Sequence, residues 1–431
     1  MVRKSREIEM KRFGAVLGLS GLMLGTAVAQ DASQVWHYWG GGAELAAIEA
    51  LLGVANEQSP ATPLAGQDFP GNAIELRRQL QTALLGGTPP AAYQSSMGYE
   101  LKTFADAGQL RDISAVWNEL RGDSIFPVGL QRVMKVDGVP YAIPLNMHAI
   151  SNIFYNKALV TELGIEIPTT FEELQAACEK IEAAGKGCLA NAGGPFWSLY
   201  NFYVPLIAAV GVEGYFQLGS GDMSFDSEGF RAALASYRDS YAKHYIENWS
   251  GKTWAQGGDD LVAGRAVFYP MGDWVSGYFK DVGLKPGEDY DFFAAPGTGG
   301  AVVIQVDAIA TPNGTDSSNA AADALLRAAA SPAGQAAFNQ HKGSVAANLE
   351  TPTDIYDYVG VKTYETMMTA EKDSRVLPNL FFLLPTELGS ELGVQLERFA
   401  ADPTDGTMES MISTLENLRL SSRDQNLFVT W

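Results

Sequence analysis

Short apolar segments alternate with amphipathic helical ones from residue 34 onward, and few folds satisfy that alternation. Gln34–Trp39 reads as a first strand, Gly40-Gly41-Gly42 breaks it, and Ala43–Gln58 follows as a helix with Leu45, Ile48, Leu52 and Ala55 on one face. Leu76, Leu80 and Leu84 share a face of the next helix, which stops at Gly86-Gly87 before a second strand, Ala91–Ser95. Thr170 followed by Glu173 is a capping box opening a helix whose inner face is Phe171, Leu174, Cys178 and Ile181. Phe230, Leu234, Tyr237 and Tyr241 stripe a further helix. The pattern predicts an α/β fold. A chain of 431 residues can bury two or three cores. The only extended polar, small-residue stretch is Thr311–Asn319, read as a strand-to-helix loop. Two lobes without a flexible linker imply that the chain crosses between them more than once.

Lys11 and Arg12 precede twelve uncharged residues, Phe13–Leu24, and Ala27-Val28-Ala29 offers the small residues of a cleavage site before Gln30. This is the layout of a secretory signal peptide over residues 1–29, too short to remain as a membrane anchor. Translation starts at Met1 or at Met10, since Met10 begins the more typical leader. No cysteine stands near the cleavage site, which predicts a free periplasmic protein and not a lipoprotein. The two cysteines, Cys178 and Cys188, are expected to pair there, because a helix end, an Ala-Gly turn and a strand start can bring their Cα atoms within bridging distance. Thirty basic against 50 acidic residues give a net charge of −20, and no basic stripe occurs, which argues against nucleic acid and anionic membrane surfaces as partners.

Catalytic signatures are missing. The Gly251-Lys252-Thr253 run ends like a phosphate loop, but Ile246 stands where the first glycine must be. There is no HExxH and no GxSxG. His37, His148, His244 and His341 have no metal-ligand spacing, so no metal and no cofactor is expected. Asp259-Asp260 read as the first turn of a helix, complementing its dipole, more than as an acid/base pair. A glycosidase's two carboxylates can come from anywhere in a chain, so spacing alone leaves that class open.

Aromatic and polar residues do gather where strands end. Trp36, Tyr38 and Trp39 close the first strand, ahead of Glu44; Gln94, Ser95 and Ser96 follow the second. Asn146, Met147 and His148 follow Pro140–Leu145, Asp273 and Trp274 follow Ala266–Met271, and Gln305 and Asp307 lie in Ala301–Ala310. In open α/β sheets ligands bind beyond the carboxyl ends of strands. Aromatic faces stack on the C–H faces of sugars, while carboxylates and amides meet their hydroxyls.

The chain resembles the bacterial extracellular solute-binding proteins of carbohydrate ABC transporters over essentially its whole mature length. The resemblance rests on Gly138–Asn146, Phe154–Lys157, Ile167–Leu174, Met271–Trp274, Ser331–Asn339 and Lys342–Val345, in that order. Tyr38–Glu44 and Met271–Trp274 make it most similar to the glucose-binding branch. It implies two α/β lobes around a ligand cleft, 30–143 with 307–342 and 144–306 with 343–431, joined by a multi-strand hinge. It implies a monomer that closes on a sugar and hands it to an inner-membrane permease. It carries ligand contacts onto Tyr38, Trp39, Glu44, Gln94, Trp274, Asp307 and Lys342; Ser96, His148, Asp273, Gln305 and Phe382 complete the expected set. Glucose-binding relatives tend to have Lys or His at the position of Ser96 and His at that of Phe382. These departures favour a glucoside or small oligosaccharide over free glucose. A polyol or other polar solute is the alternative within binding proteins, and a secreted carbohydrate-active enzyme the alternative outside them.

Overall fold

A computed structural model describes residues 32–69, 73–429 and 431. The leader and its cleavage site fall in residues 1–31, outside the described residues. Ala32–Trp431 forms one compact unit that carries three principal sheets. The first sheet runs in the order Leu64–Asp68, Ser33–His37, Ala92–Ser95, Ala308–Ala310, Ala142–Pro144. Its first three strands are parallel, as crossover helices require, and the last two pair antiparallel. The second sheet orders Tyr290–Ala294, Asn152–Asn156, Ala266–Pro270 and Gly187–Leu189. The third orders Val345–Ala346, Asn146–Ala149, Val302–Gln305 and Val376–Pro378. Helices cover the sheets with the expected faces: Ile48, Leu52 and Ala55 of Gly42–Gln58 are buried, as are Leu76 and Leu80 of Ala73–Gly86. The chain is a two-lobed α/β protein.

The expected strand Ala301–Ala310 is two strands, Val302–Gln305 and Ala308–Ala310, interrupted at Val306-Asp307. The break carries the chain from the third sheet to the first. Ala142–Pro144 passes to Asn146–Ala149 through Leu145, and the helix Pro332–Lys342 passes to Val345–Ala346 through Gly343-Ser344, so there are three such passages. Gly343 ends its helix at φ +76°, a left-handed position that glycine takes without a Cβ penalty.

Cys178 and Cys188 form a disulfide with Cα atoms 5.1 Å apart. The helix Phe171–Ala183 ends at Ala184, Gly185 turns at φ +76°, and Gly187–Leu189 begins, which brings the thiols together. Thr170 caps that helix by accepting from Glu173 N at 3.1 Å, but the return bond is displaced: Glu173 accepts from Thr169 N and Oγ1, both at 2.7 Å. The placement of Asp259-Asp260 needs correcting. Thr253 and Gln256 form the capping box of Trp254–Val262, so both aspartates fall at that helix's end and not in its first turn. Asp260 is held there by Lys252 at 2.5 Å and Arg265 at 2.7 Å. The loop read as Thr311–Asn319 is also shorter than expected, because Thr315 caps a helix that starts at Asp316.

Candidate functional site

One buried amide ties the three passages together. Asn146 donates to Asp307 Oδ2 at 2.9 Å and to Ser344 Oγ at 3.1 Å, and its own Oδ1 accepts from Asp307 N at 2.8 Å. Asn339 extends the knot, donating to Leu145 O at 3.0 Å and accepting from Ser344 Oγ at 2.7 Å. Asp307 is thereby fixed where the chain changes sheets, with its carboxylate on the wall of a cavity of about 520 Å³.

That cavity collects nine of the twelve expected ligand residues: Tyr38, Trp39, Glu44, His148, Trp274, Gln305, Asp307, Lys342 and Phe382. Tyr38 and Trp39 arrive as Ser33–His37 runs out; Gln94 Oε1 accepts from Tyr38 N at 3.0 Å and holds the turn. Glu44 follows in the first turn of Gly42–Gln58 and pairs with Lys342 Nζ at 2.7 Å. Gln94, Ser96 and Asp273 stand one layer behind the wall. Gln94 donates to Asp307 Oδ1 at 3.2 Å, and Ser96 Oγ donates to Val306 O at 3.0 Å while accepting from Gln305 Nε2 at 2.9 Å. Asp273 accepts from Ala149 N at 2.9 Å and pairs with His148 Nδ1. Phe382 reaches the wall with most of its ring in the core, 5% exposed.

The charges are fixed by one another. Burial works against ionising Asp307, yet hydrogen bonds from His148 and Asn146 and the charge of Lys342 bring its carboxyl down to about 2. Burial would lower His148, but the adjoining Asp273 carboxylate outweighs it and raises the imidazole. Lys342 is raised in the same way, Glu44 and Asp307 overcoming its burial. Burial, then Asp307, push the Tyr38 phenol well up, so it stays a neutral hydroxyl.

The same cavity is lined by aromatic rings, Phe196, Trp197, Tyr200, Trp254 and Trp274. Trp274 meets Trp197 at 6.1 Å and Tyr200 at 6.3 Å, ring centre to ring centre. The sequence reading missed Arg77, Phe196, Trp197, Tyr200 and Trp254. Tyr200 lies inside the long apolar helix Trp197–Gly219 and Arg77 inside Ala73–Gly86, where the one reads as core and the other as solvated surface. Trp254 directly follows the capping threonine, Thr253, and that cap was the findable signal. Fixed acceptors and donors in one cavity with aromatic rings suit a ligand with hydroxyls on its edge and C–H groups on its faces.

Residues 55–336 match the sequence profile of the bacterial extracellular solute-binding proteins. The chain belongs to this family. An uncharacterised ABC transporter extracellular-binding protein of Pyrococcus horikoshii is 29% identical over 80% of the chain and 78% of its own length. A probable sugar-binding periplasmic protein of Rhizobium meliloti is 28% identical over 86% of the chain and 90% of its own. Among solved structures, the solute receptor AcbH, described as having an exclusive preference for β-D-galactopyranose, superposes with TM-score 0.80 at 21% identity, over 90% of this chain and 98% of that one. The binding protein RafE, solved with raffinose, gives TM-score 0.73 at 17% identity, over 90% and 100%. These solute-binding proteins share the two-lobed fold. Among the described residues no helix is long and apolar enough to cross a membrane.

Proposed function

We propose that this solute-binding protein is the substrate-binding component of an ABC importer, exported to the periplasm by a cleaved leader without a lipid anchor. It acts as a monomer and delivers a sugar to an inner-membrane permease. The lobes are 30–143 with 307–342 and 144–306 with 343–431, and they close on the ligand. The observation that carries this reading is that Glu44, Asp307 and Lys342 line one cavity together with Trp197, Tyr200 and Trp274. Relatives named for sugar binding support the same class.

The site is built for holding and not for turnover. A glycosidase needs one carboxylic acid kept protonated near neutral pH. Asp307, at about 2, is ionised, and Glu44 is engaged by Lys342. His148, the one imidazole on the wall, has both ring nitrogens occupied, by Asp273 and Asp307. A glucoside or small oligosaccharide is preferred over free glucose, since Phe382, largely buried, adds an apolar residue to the cavity wall.

A thermal-shift screen over monosaccharides, disaccharides, glycosides and polyols, followed by calorimetric titration, tests this. A ligand at a hundredfold its Kd adds about 2.7 kcal/mol of stability. Stabilisation by at least one sugar, without its consumption, is the expected outcome. Stabilisation by polyols alone, or release of product from aryl glycosides, would overturn it.

A further inference from the structure

A second cavity of about 530 Å³ adjoins the first and shares four of its wall residues, Arg77, Pro195, Phe196 and Phe382. One side is built by Ala73–Gly86 and Tyr99–Asp106, the other by Phe381, Phe382 and the helix Thr386–Ala401, so it lies in the same cleft. Its walls differ in kind from those of the first. Phe104, Pro195, Phe196, Phe381, Phe382 and Val394 supply an apolar lining, with Phe196 and Phe381 ring centres 4.9 Å apart and Phe381 and Phe382 also 4.9 Å apart.

Most of the polar groups on these walls are engaged. Arg77 pairs with Glu100, and Glu100 also accepts from Ser95 Oγ at 3.3 Å. Arg78 pairs with Glu75 at 2.6 Å. Thr103 Oγ1 donates to Tyr99 O at 2.8 Å, Ser390 Oγ to Thr386 O at 2.8 Å, and Tyr99 Oη to Leu427 O. Gln81 lies at the exposed rim. A second sugar ring placed here would bury hydroxyls against groups already bonded, at a cost in unmet hydrogen bonds. An apolar group meets no such cost and buries against three phenylalanine rings.

We infer that this second cavity is a subsite for an apolar aglycone, so that the preferred ligand is a glycoside whose sugar sits against Asp307 and Lys342 and whose hydrocarbon or aryl group sits among Phe196, Phe381 and Phe382. The inference rests on the sugar-binding reading and narrows its ligand class from glucosides and oligosaccharides to glycosides with apolar aglycones.

Calorimetric titration with matched probes tests it: glucose, galactose and xylose, each as the free sugar, the methyl β-glycoside and the phenyl β-glycoside, with cellobiose and lactose as disaccharide controls. For the sugar that binds, the phenyl glycoside is expected to bind about tenfold or more tighter than the methyl glycoside, the equivalent of burying roughly two methylene groups. Val394→Phe, which narrows the cavity, is expected to bring that ratio toward one, and Ser390→Trp at its rim provides a second obstruction should the first variant fold poorly. Sugars that bind with a phenyl-to-methyl ratio near one, or a disaccharide that gains more than the phenyl glycoside, would overturn the subsite and leave sugar binding standing. No binding of any sugar or glycoside would overturn both.

Discussion

Trp274 and Trp39 both face the cavity, but their other contacts separate their roles. Trp39 is 1% exposed and packs edge-on against Phe338 at 5.2 Å, with Tyr38 and His37 beside it. Trp274 is half-buried among cavity aromatics. Trp274→Ala is therefore expected to weaken sugar binding by about 1–3 kcal/mol with little change in melting temperature. Trp39→Ala is expected to lower stability by ~3–5 kcal/mol. Comparing calorimetric affinity with thermal melting for each variant separates the two. The residue scale also holds a pH signature. His148 is raised above its ordinary 6.5, so its contribution to stability is complete below 6.5 and is lost as pH rises through the raised value. Asp307 moves from 3.8 to about 2, so its contribution is present above 3.8 and is lost as pH falls through about 2. Denaturant midpoints are expected to hold level, for this pair, between 3.8 and 6.5. His148→Gln should abolish the alkaline decline that His148 causes, and an unchanged alkaline limb in that variant would count against the assignment. Residue type and strand position pointed to Tyr38, Glu44 and Asp307, and the family resemblance added Lys342; all four line the cavity. Neither signal could tell Ser96 apart from a wall residue, because its engagement by Val306 O and Gln305 depends on a strand break that the apolar run 301–310 conceals.

Among the elements, the helix Phe171–Ala183 and the strand Gly187–Leu189 were legible with their disulfide, since cap, stripe, turn glycine and cysteine spacing all agree. The helix Trp254–Val262 was misread at its start, because two adjacent aspartates look like a first turn while the weaker-looking Thr253 and Gln256 supply the cap. Acidic residues at a helix end run against the dipole, and Asp260 tolerates it only through Lys252 and Arg265. Replacing both Cys178 and Cys188 with serine is expected to cost about 2–3 kcal/mol, the chain entropy of a ten-residue closure. Neither cysteine lines the cavity, so sugar affinity should stay within about twofold, measured by titration at a temperature where the variant is folded.

For the whole molecule, the α/β class was readable from strand–helix alternation and the two-lobed plan from the family resemblance, whereas the knot where the sheets exchange strands was not. Asn146 reads as one more polar residue after a strand, and only the return of residues 307 and 344 to the same place gives it three partners. Asn146→Ala leaves the Asp307 amide and carboxylate short of donors and acceptors in a buried setting, so a loss of roughly 2–4 kcal/mol in unfolding free energy is expected by denaturant titration. A contact remote from the knot bears on closure. Asp281 Oδ2 accepts from Ala43 N at 3.2 Å, at the start of Gly42–Gln58, and under the proposed division it joins the two lobes. Under that division Asp281→Ala removes an interlobe contact that favours closure, so apparent sugar affinity should fall about two- to fivefold without any ligand contact being lost. Small-angle scattering is expected to show a larger sugar-free radius in the variant, and an unchanged radius and affinity would sink the idea.

The wiring of the first sheet has a consequence for how the protein is made. Ala142–Pro144 joins that sheet through Ala308–Ala310 alone, and Ala308–Ala310 is also the neighbour of Ala92–Ser95. A ribosome that has delivered the first 300 residues has therefore produced a chain whose earliest sheet still lacks its closing strand. Pairings this distant in sequence are slow to form, since the intervening loop must close before any contact rewards it. If the chain is exported unfolded, as the proposed leader implies, the order in which its strands are synthesised itself holds back premature folding.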